Sequence, residues 1–371
     1  MKELAITIKP TMACNMKCRH CFNADKFRDS GIIDVNTILV LFEKVAKEYP
    51  SIKVTFHGGE PTLAGLDFYE KIFAFQQHLT RKGTIFRNFF TTNGLLLSEG
   101  FIKLLIQNDS LINVSFDGPC NDILRSNTST VLEHIRLIKK LKGRVRCYCT
   151  LSRGSYLRLK EIYDWFKHEG IDFKTLPIEK VGYAKINQDL LMSQDDLVRV
   201  LVDVYRYWIC DDTCKIRYFT FEEFSSLRRS NQFKTYWFNR KIALNPDGVI
   251  YPFGRPNDVN YQLGTPESIN SIEDCFSSPK YVQLRKILKS FYERKCFNCK
   301  SLGVCNGVAI CMTYMYENDE SILDYSCCQA NKIFQAILDV NDEIIDDFRR
   351  GNYAKYSDFI QHKFDEYKGD I

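Results

Sequence analysis

The sequence predicts an α/β fold on a parallel sheet, either an incomplete barrel or a doubly wound sheet. Three observations lead there. Strand-like and helix-like segments alternate about six times before residue 180. Four of the strands run directly into short loops rich in Gly, Pro, Cys or acidic residues. After residue 180 the alternation gives way to a hairpin and a cysteine-rich segment.

Taken in order, residues 4–9 read as a strand followed by a cysteine loop. Residues 36–48 place Ile38, Leu39, Leu41, Phe42, Val45 and Ala46 on one helical face. Strand 53–56 ends in His57-Gly58-Gly59-Glu60-Pro61. Helix 66–82, strand 84–91, helix 97–107, strand 111–116, helix 129–141, strand 144–151, helix 157–169 and strand 172–178 follow. Residues 194–209 read as an amphipathic helix, and 241–251 as a hairpin turning at Asp247-Gly248. A last helix is expected near 329–348. In either α/β arrangement, ligand-binding loops gather at the carboxyl ends of the strands. The cysteine loop, the Gly58–Pro61 loop, Thr91-Thr92-Asn93-Gly94 and Ser115-Phe116-Asp117-Gly118-Pro119 should therefore converge on one end of the sheet. Singly, each is ordinary turn chemistry.

The net charge of +5 is small and dispersed for 371 residues, so it could favour an acidic peptide but gives no case for nucleic acid. No segment resembles a signal peptide and no apolar run approaches a membrane span, so a cytoplasmic protein without membrane attachment is expected. That compartment disfavours disulfides for the 15 cysteines. Their clustering favours metal ligands, with three near the start and six between Cys296 and Cys328.

Cys14, Cys18 and Cys21 are spaced three and then two residues apart. Three thiolates can hold three irons of a [4Fe–4S] cluster and leave the fourth open to a chelating ligand such as S-adenosylmethionine (SAM). Structural zinc is the alternative, but it wants a fourth ligand. His20 adjoins Cys21 and is poorly placed to supply one.

On these motifs the chain resembles radical SAM enzymes. Through Gly58–Pro61, Ser115–Pro119 and Lys215–Phe219 it resembles anaerobic sulfatase-maturating enzymes and related peptide maturases with a C-terminal SPASM domain. The resemblance implies a partial (β/α)6 barrel over 1–215. It also implies a bridge hairpin, an auxiliary-cluster domain and a C-terminal helix over 216–371. Cys14, Cys18 and Cys21 take the place of the SAM-cluster ligands. The implied SAM contacts are His20 through its backbone near the adenine, Gly58, Gly59 and Glu60 around the amino group, and Asn93. Ser115 and Arg125 fall where the carboxylate and ribose are bound, and Val181 where an apolar residue covers the adenine. Ser115 and Arg125 also fit a plain strand-end turn and a surface cation.

Cys296-Phe297-Asn298-Cys299 with Cys305 six residues on is a metal-site pattern in its own right. By resemblance, Cys296, Cys299, Cys305 and Cys328 hold one auxiliary [4Fe–4S] cluster, and zinc remains its rival. Cys311 and Cys327 are substitute ligands or buried thiols. A second, inner cluster is not expected, because Phe253 stands at one ligand position and Ala309 at another. Gly254 replaces the carboxylate that sulfatase maturases place after the hairpin, which leaves Asp258 as a weak candidate for a catalytic base.

These departures favour a maturase that crosslinks a ribosomal precursor peptide, by a carbon–carbon cyclophane ahead of a thioether. Formylglycine formation is the alternative, and a non-catalytic iron–sulfur carrier a third class. The implied partners are the precursor peptide and a flavodoxin- or ferredoxin-type electron donor. Because the sequence starts at the first strand, leader recognition is expected to fall to the bridge region, the C-terminal domain or a separate protein.

Overall fold

The computed structural model describes residues 2–23, 31–225, 241–253, 259–296, 298–299, 301 and 320–368. Its centre is a sheet of eight strands in the order β6-β5-β4-β3-β2-β1-β7-β8. The first six are β1 Glu3–Ile8, β2 Ser51–Phe56, β3 Ile85–Thr92, β4 Leu111–Ser115, β5 Val145–Leu151 and β6 Phe173–Pro177. All five pairings among them are parallel. Between them lie α1 Val35–Glu48, α2 Leu66–Arg81, α3 Glu99–Gln107, the single turn α4 Asn121–Leu124, α5 Thr128–Lys140 and α6 Leu159–Glu169.

This strand order decides between the two architectures left open by the sequence. A doubly wound sheet reverses direction at a switch point, whereas here each strand lies beside its predecessor, as in a barrel. The barrel is incomplete, since β1 pairs with β2 and β7 but not with β6.

Alternation along the strands sets the layers. Leu4, Ile6 and Ile8 are buried, as are Ile52, Val54 and Phe56, and they share one core with Ile38, Leu41, Phe42 and Val45 of α1. Burying side chains of this size contributes about 1.5–3 kcal/mol each. The helices start where the sequence offers caps. Asp34 accepts from Asn36 N–H, and Ser98 from Phe101 N–H. Gly170 closes α6 in the left-handed region, at φ +61.

The sheet does not stop at the boundary expected at 215/216. Phe173 N–H donates to Arg217 carbonyl, and Tyr218 bridges Phe173 at the edge of β6. From there α8 Phe219–Phe224 sends Phe221 and Phe224 into the barrel core. At the opposite edge, β7 Lys241–Leu244 pairs in parallel with β1, and β8 Ile250–Pro252 pairs antiparallel with β7. The expected hairpin is thus present but belongs to the main sheet. Its turn hydrogen bond runs from Gly248 N–H to Asn245 carbonyl, with Gly248 at φ +74.

Helix α7 Gln194–Trp208 packs on α11 Glu320–Arg349, which includes the expected last helix and begins earlier. Tyr205 donates to Asn341, and Asn341 donates in turn to the Phe224 carbonyl. The sequence reading did not anticipate α9 Ile272–Ser277, α10 Pro279–Lys295 or α12 Asp358–Lys368.

Candidate functional site at the carboxyl ends of the strands

The cysteine loop leaves β1 and is clamped from two sides. Gly59 N–H donates to Thr11 carbonyl (3.0 Å) and Glu60 N–H to Ala13 carbonyl (2.8 Å). The approach is close enough to demand glycine. A Cβ on Gly59 would lie 2.1 Å from the Ala13 oxygen and 2.3 Å from that of Met12. On the other side, Tyr183 N–H donates to Cys21 carbonyl (3.0 Å), beside Gly182 at φ +56. Cys14, Cys18 and Cys21 form no disulfide, and each is partly buried.

Each of the first two thiols has a polar neighbour from a later strand. Asn93, after β3, directs its Nδ2 at Asn15 (2.7 Å) and lies 3.9 Å from Cys14 Sγ. Arg125 Nη1 lies 3.9 Å from Cys18 Sγ. Burial pushes both thiols up, while Arg125 works in the opposite direction on Cys18.

Glu60 is wholly buried, and its carboxylate is fully engaged. Oε1 accepts from Thr62 N–H (3.0 Å), Thr62 hydroxyl (2.6 Å) and Thr92 hydroxyl (2.8 Å), and Oε2 from Asn93 N–H (2.7 Å). The side chain therefore ties the end of β2 to the end of β3. Both N–H groups of Gly59 and Glu60 are taken by the cysteine loop, the Gly58 carbonyl accepts from Asn23 Nδ2 and that of Glu60 from Leu63 N–H, which leaves the Gly59 carbonyl to offer an ammonium group.

Arg125 is not the surface cation that sequence alone allowed. Its side chain is 8% exposed, and Nε donates to Asp117 Oδ2 at 2.9 Å. Its Nη2 donates to Thr150 hydroxyl (3.1 Å), and Asp117 Oδ1 accepts from Thr150 N–H (2.6 Å). Burial opposes the Arg125 charge, but Asp117 and Cys18 outweigh it and hold the guanidinium protonated. Asp117 and Thr150 fix Arg125 in place, and sequence reading missed both. Asp117 stood inside a noted loop, and Thr150 gave no signal beyond strand alternation.

The remaining candidates fall nearby. His20 is mostly buried, its Nδ1 has no hydrogen-bond partner, and burial with the Arg125 charge holds it down to about 3, so the imidazole is neutral. Val181 is buried immediately before Gly182, in the segment that docks on Cys21. Ser115 ends β4, level with Tyr148 of β5. The structure thus brings Cys14, Cys18, Cys21, His20, Gly58–Glu60, Asn93, Arg125 and Val181 to the same end of the sheet.

In the C-terminal set, Cys296 is buried at the end of α10 and Cys299 N–H donates to its carbonyl at 2.9 Å, forming a tight turn. Cys305, Cys311 and Asp258 lie outside the described residues, as do the side chains of Cys327 and Cys328. Phe253 is described: it is buried at the end of β8 with φ +63.

The donors suit an iron–sulfur cluster. Among the described residues, no three His, Cys, Asp or Glu side chains converge on a single-ion position. A cluster spreads its thiolates over separate irons.

Comparison with known proteins follows the same line. Residues 8–172 match the Radical SAM superfamily. The cysteine-type anaerobic sulfatase-maturating enzyme of Clostridium perfringens is 25% identical over 360 residues, covering 90% of this chain and 96% of that one. The serine-type enzyme of Klebsiella aerogenes is 24% identical over 329 residues, covering 81% and 78%. The structure of native anSMEcpe with bound AdoMet and the Cp18Cys peptide superposes with a TM-score of 0.77 at 23% identity, over 92% of this chain and 99% of that one. Streptococcus suis SuiB bound to precursor peptide SuiA gives 0.64 at 19% identity, over 85% and 74%.

Proposed function

We propose that the chain, which matches the Radical SAM superfamily over residues 8–172 and is similar to anaerobic sulfatase-maturating enzymes, is an enzyme that modifies a peptide by removing hydrogen from a side-chain carbon. The observation that carries this reading is the convergence of loops from successive strands on the three thiols. Asn93 approaches Cys14, Arg125 approaches Cys18, and the segment after β6 holds Cys21. In the proposed assignment, Cys14, Cys18 and Cys21 hold the cluster, and Cys296, Cys299, Cys305 and Cys328 hold one auxiliary cluster. When bound, cluster and SAM supply a 5′-deoxyadenosyl radical on receipt of an electron, here from a flavodoxin- or ferredoxin-type donor.

The chain's own residues do the positioning. In this loop the Gly59 carbonyl would receive the amino group of SAM, with Gly58 and Glu60 shaping the strand end around it. Arg125, fixed by Asp117 and Thr150, places one positive charge beside Cys18 and the SAM carboxylate. The neutral His20 and the buried Val181 flank the adenine without adding charge.

The names of the relatives favour oxidation of a cysteine or serine to formylglycine, so that is the first reaction to test. Intramolecular crosslinking, a cyclophane ahead of a thioether, is the second reading. It is supported by the buried Phe253 where a sulfatase maturase is expected to place an inner-cluster cysteine. Reconstituted, reduced protein should cleave SAM to 5′-deoxyadenosine. Mass spectrometry of a cysteine-containing sulfatase-derived peptide then separates formylglycine, in which an aldehyde oxygen replaces the thiol sulfur, from a crosslink, which loses two hydrogens and keeps the sulfur. Absence of SAM cleavage with and without peptide would refute the enzyme reading.

A further inference from the structure

The cysteine loop hangs from two holders that belong to different parts of the sheet. Cys14 is attended by the ends of β2 and β3, through Gly59, Glu60 and Asn93. Cys18 and Cys21 close a tight turn of their own, in which Cys21 N–H donates to Cys18 carbonyl at 3.2 Å. That turn is gripped by the chain that leaves β6.

Residues 178–190 form an arch fixed to the end of β5 at both feet. At the near foot Ile178 N–H donates to Leu151 carbonyl (3.1 Å), and at the far foot Arg153 N–H donates to Leu190 carbonyl (2.9 Å). Between them Val181, Ala184 and Leu190 are buried. The middle of the arch carries two donors to the turn. Tyr183 N–H reaches Cys21 carbonyl (3.0 Å), and Asn187 Nδ2 reaches Arg19 carbonyl (2.8 Å). Asn187 is itself set by its backbone, whose N–H donates to Tyr183 carbonyl and whose carbonyl accepts from Leu190 N–H. The approach is close. A Cβ on Gly182 would stand 2.4 Å from Cys21 oxygen and 2.6 Å from Phe22 Cα. Arg19 and Asp189 add an ion pair at 2.8 Å, but their side chains are 49% and 62% exposed, and such a pair contributes little.

We propose that Asn187 is a positioning residue for the iron–sulfur cluster. Its side chain holds the Cys18–Cys21 turn in the shape that presents two of the three thiolates, independently of the clamp that β2 and β3 place on Cys14. The proposal rests on the reading of the three thiols as cluster ligands. Thiolates bound to separate irons must keep a fixed spacing, and hydrogen bonds to the turn supply it before metal arrives. A turn whose Arg19 carbonyl is released opens more often, and the thiols at its two ends are exposed with it. Loss of one such hydrogen bond raises the open population roughly five-fold.

Iodoacetamide labelling of the metal-free full chain, read thiol by thiol by mass spectrometry, tests this. Asn187→Leu matches the side chain in size and lacks the donor. In that chain Cys18 and Cys21 should label roughly five-fold faster, while Cys14 keeps its native rate. Gly182→Ala should accelerate the same two thiols further. Asp189→Asn, which removes only the exposed ion pair, should stay within about two-fold of native. Cys147 and Cys149, wholly buried on β5, report any general loss of fold and should stay unlabelled in Asn187→Leu. Once iron and sulfide are loaded anaerobically, a chelator should strip the N-terminal irons roughly five-fold faster from Asn187→Leu than from the native chain. Equal acceleration of Cys14, native rates at Cys18 and Cys21, or an Asp189→Asn chain as reactive as Asn187→Leu would overturn the proposal. Iron content tests the underlying reading separately. A native chain that binds no more iron than the same chain with Cys14, Cys18 and Cys21 all changed to Ala refutes the cluster assignment. A difference of about four irons, with native labelling in Asn187→Leu, refutes the role of Asn187 alone.

Discussion

Gly59→Ala perturbs the clamp on the cysteine loop with a single methyl group. That carbon would stand 2.1 Å from Ala13 carbonyl oxygen and 2.3 Å from Met12 carbonyl oxygen, where contacts of at least 3.0 Å are needed. Both obstacles are backbone, so no side chain can rotate away. The loop must withdraw by about 1 Å, and the Gly59-to-Thr11 and Glu60-to-Ala13 hydrogen bonds weaken with it. Two hydrogen bonds at about 1 kcal/mol each, plus residual overlap, give about 2–4 kcal/mol of lost stability. At about 2–4 °C per kcal/mol, the metal-free protein should melt about 4–16 °C lower. A displacement of that size at the cluster loop should also cut 5′-deoxyadenosine formation by about 10²-fold. Differential scanning calorimetry and a coupled nucleoside assay read the two effects, with Gly31→Ala as control because a Cβ there meets nothing within 4 Å. A Gly59→Ala protein with unchanged melting temperature and rate would refute the account of the clamp.

Replacing Arg125 with Met leaves Asp117 buried and uncompensated, and should cost about 3–5 kcal/mol in chemical denaturation. Arg125→Lys, which keeps the charge but loses the fork to Thr150, should cost less. Asp211 is hydrogen-bonded by Lys167, Thr213 and Tyr163, and against burial these hold its carboxyl down to about 2, from an ordinary 3.8. Its contribution of up to about 2 kcal/mol is present above the ordinary value and is lost as pH falls through the folded one. The stability gap between the native chain and Asp211→Asn should therefore narrow between pH 4 and pH 2 in urea titrations. Iron analysis of reconstituted protein should give about eight irons per chain, and about four after Cys14, Cys18 and Cys21 are all changed to Ala. About twelve would contradict the single auxiliary cluster.

Much of the barrel was legible because hydrophobic periodicity is local. Helix 36–48 became Val35–Glu48, and strand 111–116 became Leu111–Ser115. The choice between barrel and doubly wound sheet was not legible, because both spell the same βα alternation and differ only in strand neighbours. The cysteine loop and its strand-end companions could be read from spacing and turn residues. Their second layer could not. Asp117 meets Thr150 across 33 positions of sequence, a juxtaposition that only the β4–β5 pairing creates. Glu60 was noted beside a possible ligand, yet its carboxylate serves the ends of β2 and β3. Nothing local distinguishes an acid that faces a ligand from one that faces two threonine hydroxyls and two backbone N–H groups.

The pairing of β7 with β1 makes the two halves of the chain share one ruler. Lys9 N–H continues that ladder to Leu244 carbonyl, at the point where the cysteine loop begins. Across the turn, Phe253 N–H reaches back to Lys241. The end of β8 is therefore indexed to the start of the cysteine loop by consecutive backbone hydrogen bonds. A hinge here would have to unzip β7 and bare the edge of β1, an aggregation-prone surface. Any opening of the barrel mouth would then have to come from loops elsewhere, with the end of β8 kept in register beside the start of the cysteine loop.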